Sequence, residues 1–215
     1  MADNFNYYIF DLDGTLIDTR EDLTTAVNIL RKSYNLPSLD KKTVTSMVGD
    51  GIRKLVERAV SSADSVNLEE ALKVFNDAYS KHLVDHTYVY PGIPGVLENL
   101  KNYGKKLAVN TNKSDKFAVE ILKKLGIYKY FDFLVGGDSV ENKKPDPEGV
   151  LMIIELFKAT PSETLMIGDG KNDILAAKDA GIKSAYVTYG YTTIDSISDL
   201  SPDYFITEPQ EILFM

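Results

Sequence analysis

Tyr7-Tyr8-Ile9-Phe10-Asp11-Leu12-Asp13-Gly14-Thr15 is the stretch on which the reading of this chain turns. Its first four residues are aromatic or β-branched without a break, as in a strand covered on both faces. Two carboxylates follow one residue apart, and Gly14 interrupts the strand pattern. Residues i and i+2 of a strand point the same way, so Asp11 and Asp13 project together from its end. Like charges that close repel, and the simplest shared partner is a divalent cation. A strand end with a solvated acidic turn has the same spacing, so the rest of the chain must decide.

Beyond Thr15 the hydrophobic period changes. Leu23, Ala26, Val27, Leu30 and Tyr34 recur at helical spacing, with Thr19 as cap and Asp22 three residues on. A short helical piece around 44–48 runs into Gly49-Asp50-Gly51, and Ile52, Leu55, Val56, Ala59 and Val60 make an apolar stripe. Asn67 and Glu70 cap a further helix that carries Leu68, Ala71, Leu72, Phe75, Ala78, Tyr79 and His82 on one face. The spacing predicts helices alone from 16 to 86.

From Tyr88 onward strands and helices alternate. Strands are expected at 106–110, 131–135, 164–168 and 185–188, with a short edge strand at 204–206. Helices are expected over 91–103, 114–125, 147–158 and 171–180, the third with Asp146 as N-cap and Pro147 as first residue. This alternation predicts a parallel sheet with helices on both faces and right-handed crossovers. Tyr7 to Phe10 has no strand partner among the helices after it, so it joins that sheet. The predicted fold is α/β: a Rossmann-like parallel-sheet core from 1–15 and 87–215, interrupted by a helical insertion at 16–86.

Composition sets limits on partners. With 215 residues, 44% hydrophobic and 26% charged, the chain can bury a full core. A net charge of −8 argues against nucleic acid or an acidic membrane surface, which need clustered Lys and Arg. Cysteine is absent, which excludes a disulfide framework, a thiolate metal site and a Cys nucleophile. Met1-Ala2-Asp3-Asn4 lacks the pattern of a secretion signal and no run reaches the length of a membrane span, so the expected compartment is the cytoplasm.

A ligand site in such a sheet lies beyond the carboxyl ends of the strands. Asp11 and Asp13 stand there after the first strand, and Thr111-Asn112-Lys113 after the second. Asn142-Lys143-Lys144-Pro145-Asp146-Pro147 follows the third, and Asp169 and Asp173 follow the fourth. Carboxylates with few other ligands suit Mg²⁺ beside a phosphate. A threonine hydroxyl, backbone N–H groups and a lysine suit phosphate oxygens. Singly, Thr111 reads as a turn residue, Lys144 as a solvated charge and Asp169 as a helix cap. At successive strand ends they exceed what turn chemistry explains.

Asp11-Leu12-Asp13-Gly14-Thr15, Thr111-Asn112-Lys113, Lys144-Pro145 and Gly168-Asp169 with Asp173 resemble, in order, the four motifs of the haloacid dehalogenase-like phosphatases. The similarity covers essentially the whole chain, including a helical cap inserted after the first strand. Closer similarity to the phosphoglycolate phosphatase branch rests on 109–113, on 136–145 and on Thr188-Tyr189-Gly190-Tyr191. Gly170 departs from that branch, which usually has Ser or Thr there. The resemblance implies Asp11 as nucleophile, Asp13 as general acid and then base, and Thr111 and Lys144 on the phosphoryl oxygens. It implies Mg²⁺ held by Asp11, the backbone carbonyl of Asp13, Asp169 and Asp173, with Gly14, Thr15 and Asn112 among the substrate-binding residues. A dehalogenase needs neither a second aspartate nor magnesium, so Asp13 and Asp169 favour phosphate.

Substrate choice then falls to the cap. Gly51 permits close backbone approach to a ligand, and Arg53 or Lys54 after it can meet a substrate carboxylate, although a solvated helix face explains both charges too. Arg20 has the same two readings. His82 and His86 stand one turn apart without an evident third ligand, which favours a partly buried helix face over a metal pair. The expectation is a Mg²⁺-dependent phosphomonoesterase, monomer or homodimer, acting on a small molecule such as 2-phosphoglycolate. Alternatives are a nucleotide or sugar phosphatase, a pyrophosphatase, a β-phosphoglucomutase-like mutase or, outside enzymes, a phosphate-ligand sensor. A sensor has no need of Asp13.

Overall fold

The apolar run Tyr7–Phe10 forms a strand (β1) in the computed structural model, which describes residues 5–63 and 65–215. Met1-Ala2-Asp3-Asn4, read above for a secretion signal, lies outside the described residues. There follow β2 (Ile17–Asp18), α1 (Arg20–Ser33), α2 (Lys41–Thr45), α3 (Ile52–Ala59), α4 (Leu68–Lys81) and β3 (Tyr88–Val89). The remainder runs α5 (Ile93–Asn102), β4 (Lys106–Asn110), α6 (Asp115–Lys124), β5 (Phe133–Val135), α7 (Glu148–Phe157), β6 (Thr164–Gly168), α8 (Lys171–Asp179), β7 (Lys183–Val187) and β8 (Tyr204–Ile206). Six of the strands form one parallel sheet in the order β5-β4-β1-β6-β7-β8, so the first strand of the chain is central.

Alternation along β1 divides the core between the two sheet faces. Ile9, with Ala108 of β4 and Met166 of β6, enters a buried cluster completed by Val150 and Ile153 of α7 and Ala176 and Ala177 of α8. Tyr8 and Phe10 are equally buried and point the other way. There Phe10 meets the ring of Phe131 edge-on, and the Tyr8 hydroxyl donates to the Met215 carbonyl at 3.2 Å.

The chain divides into two compact units, 1–17 with 89–215, and 18–88. In the second unit α1 packs against α4, α2 and α3. Asn67 caps α4 as predicted, its side-chain oxygen accepting from the N–H groups of Glu69 and Glu70. Four local expectations are corrected. Thr19 makes no side-chain cap bond; Asp22 turns inward, fully buried, and accepts from the N–H groups of His86 and Thr87 at 3.0 and 2.8 Å and from the Thr87 hydroxyl at 2.6 Å. Helices are not alone before 86, because β2 pairs with β3 where the chain leaves and returns. His82 ends α4 rather than lying on its buried face, and its Nδ1 is 2.7 Å from Asp85. Pro147 precedes α7 instead of opening it, while Asp146 still receives the Glu148 N–H at 3.0 Å.

Candidate active site

Register builds the site. Phe10 is paired with Val109 on one side and Ile167 on the other, so the three central strands end level. The ladder continues one residue further: Asp11 N–H donates to the Ile167 carbonyl at 2.9 Å and Thr111 N–H to the Val135 carbonyl at 3.0 Å. Asp11 therefore leaves the sheet between Thr111 and Asp169.

Lys144 arrives from the loop between β5 and α7. Its ammonium lies 2.8 Å from Asp11 and 2.6 Å from Asp173, and donates to the Asn110 carbonyl at 2.6 Å. The Asn112 amide fixes the loop by donating to the Lys144 carbonyl at 2.9 Å. Asp11, Asp169 and Asp173 offer carboxylate oxygens within 4.8 Å of one another, a set able to hold a metal ion. One ammonium is outnumbered here. Burial first, and then repulsion from Asp11 and Asp173, raises the Asp169 pKa well above the carboxylate range. Burial and Asp11 push Asp173 up to about 6 against the opposing pull of Lys144. For Lys144 burial works downward, but Asp11 and Asp173 outweigh it and raise the ammonium.

Glycines let Asp169 sit this close. A Cβ on Gly14, whose φ is +84°, would strike the Asp169 carboxylate, and one on Gly190 would strike both the Asp169 side chain and the Gly14 carbonyl. The turn after β7 completes the hold: Tyr191 N–H donates to the Asp169 carboxylate at 2.6 Å, and the Thr192 hydroxyl donates to its carbonyl. The Tyr189 hydroxyl reaches the Thr15 carbonyl at 3.2 Å. Nothing in the side chains of this turn signals that task; its position just past the end of β7 does. Thr15 itself is buried, and its hydroxyl makes no hydrogen bond within the protein.

Asp13 faces a second buried cation. Lys113, given no role above, has only 3% of its side chain exposed and lies 3.2 Å from the Asp13 carboxylate. Its N–H donates to the Thr111 hydroxyl oxygen at 3.3 Å, which leaves the threonine proton free to turn elsewhere. Of the residues read for specificity, Gly51 has φ +87°, Arg53 pairs with Glu69 at 2.6 Å and Lys54 with Glu57 at 2.8 Å. Arg20 chelates Asp18, which also accepts from the Tyr88 hydroxyl at 3.1 Å. Each of these contacts lies within the second unit. His82 and His86 join no metal-ligand cluster among the described residues. Among those residues, too, no helix is long and apolar enough to cross a membrane.

The haloacid dehalogenase-like hydrolase family model matches residues 8–187. Phosphoglycolate phosphatase 1 of Pseudomonas aeruginosa is 37% identical over 212 residues, covering 95% of this chain and 77% of that protein. The phosphoglycolate phosphatase of Chromobacterium violaceum is 39% identical over 205 residues, covering 89% and 92%. Among solved structures, a predicted phosphoglycolate phosphatase from Haemophilus somnus 129PT is similar with a TM-score of 0.92 and 33% identity, covering 97% of this chain and 96% of that one.

Proposed function

The chain belongs to the haloacid dehalogenase-like hydrolase family, and from that premise we propose that it is a phosphatase acting on 2-phosphoglycolate. The observation that carries this reading is Lys144, in contact with both Asp11 and Asp173 at the level ends of the central strands. A lysine so buried beside carboxylates is suited to neutralising a phosphoryl group. The names of the two bacterial relatives supply the substrate.

Asp11 attacks phosphorus in line; the Asp11–phosphorus bond forms as the bond to the ester oxygen breaks. Asp13 gives its proton to the departing alkoxide, then takes one from the water that attacks the aspartyl-phosphate. That second displacement releases phosphate and restores Asp11. Thr111 donates its hydroxyl proton to a phosphoryl oxygen, and Lys144 binds another. The three clustered carboxylates, short of positive charge, fit a hard divalent cation. Asp11, the Asp13 carbonyl and Asp169 would hold Mg²⁺ with support from Asp173, and the ion would supply charge neutralisation for the phosphate. The helical unit 18–88 serves as the cap that selects the leaving group, with Gly51, Arg53 and Lys54 as its candidate contacts. The acidic chain and its small-molecule chemistry suit the cytoplasm.

Phosphate release from a panel of phosphorylated metabolites, with Mg²⁺ and with EDTA, tests this. The expected result is highest kcat/KM on 2-phosphoglycolate and no turnover in EDTA. Turnover that survives EDTA overturns the metal assignment, and preference for a nucleotide or sugar phosphate overturns the substrate.

A further inference from the structure

The core holds a buried cation that the reaction above does not use. Lys113 is almost wholly enclosed, with its ammonium 3.2 Å from the Asp13 carboxylate. Its backbone is fixed as firmly as its side chain. The Lys113 carbonyl accepts from Gly137 N–H at 2.8 Å, and Asp115, two residues on, receives the Gly136 N–H at 2.6 Å. A Cβ on Gly137 would press on the Asn112 carbonyl, so the small residues after β5 let the two turns meet. A lysine with no task of this kind keeps its head in water, because burying an ammonium is costly.

We propose that Lys113 recognises the carboxylate of the leaving group, which makes it the residue in the core that selects a phosphorylated acid over a neutral phosphate ester. This rests on the phosphoglycolate reading given above. To protonate the leaving group, Asp13 must come within about 2.6–3.2 Å of the ester oxygen. In 2-phosphoglycolate the carboxylate carbon is only two bonds from that oxygen, so an ammonium touching Asp13 is also within reach of the carboxylate. Lys144 is not a competitor, being held among Asp11, Asp173 and the Asn110 carbonyl. Arg53 and Lys54, the candidate contacts of the unit 18–88, belong to that unit and not to the core.

The test compares two esters that differ only in this group, 2-phosphoglycolate and 2-hydroxyethyl phosphate, with the full-length chain in Mg²⁺. Wild type should favour the acid by at least about tenfold in kcat/KM, the scale of one charge-assisted contact. In Lys113→Gln that ratio should fall by about tenfold or more, mainly through KM for the acid. Lys113→Arg, which keeps the charge, should retain part of it. Equal losses on both esters, with the ratio unchanged, would show that Lys113 only orients Asp13, and the proposal falls. It falls too if wild type turns over both esters equally, a measurement that needs no variant to fold. If wild type hydrolyses other phosphate esters but neither of these two, the substrate reading has failed, and this inference with it.

Discussion

Asp169 is a buried carboxylate crowded by others, with burial and then Asp11 and Asp173 raising its pKa. A group whose pKa is higher folded than unfolded binds more protons when folded. Its contribution therefore favours folding at low pH and is lost as pH rises through the folded value. For Asp169 and Asp173 together, metal-free stability should decline from the ordinary carboxylate range upward through pH 6 and beyond. Asp169→Asn should raise the melting temperature of the metal-free protein at pH 8. It should also abolish the stabilisation by Mg²⁺, about 2.7 kcal/mol for an ion at a hundred times its Kd. Thermal melts with and without EDTA decide both; a variant that still gains stability from Mg²⁺ removes Asp169 from the ligand set. A second prediction concerns Asp13. An alkyl alkoxide needs a proton to leave and p-nitrophenolate needs little help, so Asp13→Asn should lose about 10²–10⁴-fold on 2-phosphoglycolate. On p-nitrophenyl phosphate it should release a burst near one equivalent and then stall, for want of a base to hydrolyse the aspartyl-phosphate. Stopped-flow absorbance would show it; equal losses on both esters without a burst contradict the assigned role.

At the scale of elements, the turns do more than connect. Gly190 lies against Asp169 and the Gly14 carbonyl, whereas Gly95, inside α5, has no atom within 4 Å of where its Cβ would be. The same substitution should thus have opposite signs. Gly190→Ala forces overpacking and should cost about 1–3 kcal/mol, and it should weaken Mg²⁺ binding by displacing Asp169. Gly95→Ala should stabilise by about 0.5–1 kcal/mol, because helical glycine is entropically unfavourable. Denaturant unfolding of the two variants, with Mg²⁺ titration of the first, makes the comparison. In α1, Asp22 receives two backbone N–H groups and the Thr87 hydroxyl while fully buried. Asp22→Ala leaves those donors unsatisfied at about 1–3 kcal/mol each, so a loss of at least about 2 kcal/mol is expected in urea unfolding.

For the molecule as a whole, the residues assigned to chemistry all belong to the unit made of 1–17 and 89–215, while Gly51, Arg53 and Lys54 belong to 18–88. In the proposed division of labour, changes in the second unit alter which ester is chosen and leave the phosphoryl chemistry intact. Arg53→Ala should shift relative kcat/KM among natural phosphate esters several-fold more than the rate on p-nitrophenyl phosphate. Its exposed pair with Glu69 contributes at most about 1 kcal/mol, so the melting temperature should hardly move. A common fall across all esters would make that helix face structural.

Element type and order were legible in the sequence because they depend on local periodicity. Four apolar residues before Asp11, and strand runs alternating with helical stripes after Tyr88, describe a parallel sheet without knowledge of any contact. Which chemistry-bearing residues stand at strand ends was legible for the same reason. What only the tertiary structure decided is what those residues touch. Asp22 reads as part of a helix cap until the returning chain brings Thr87 to it, 65 positions away. Lys113 reads as the tail of a turn until the level ends of β1 and β4 set it beside Asp13. Tyr191 reaches Asp169 through its backbone N–H, which no side-chain pattern advertises. Burial and charge balance are sums over neighbours from distant segments. The sequence could therefore supply three carboxylates and a lysine, while their crowding around one ammonium, and the rise in Asp169, came from the register of the folded sheet.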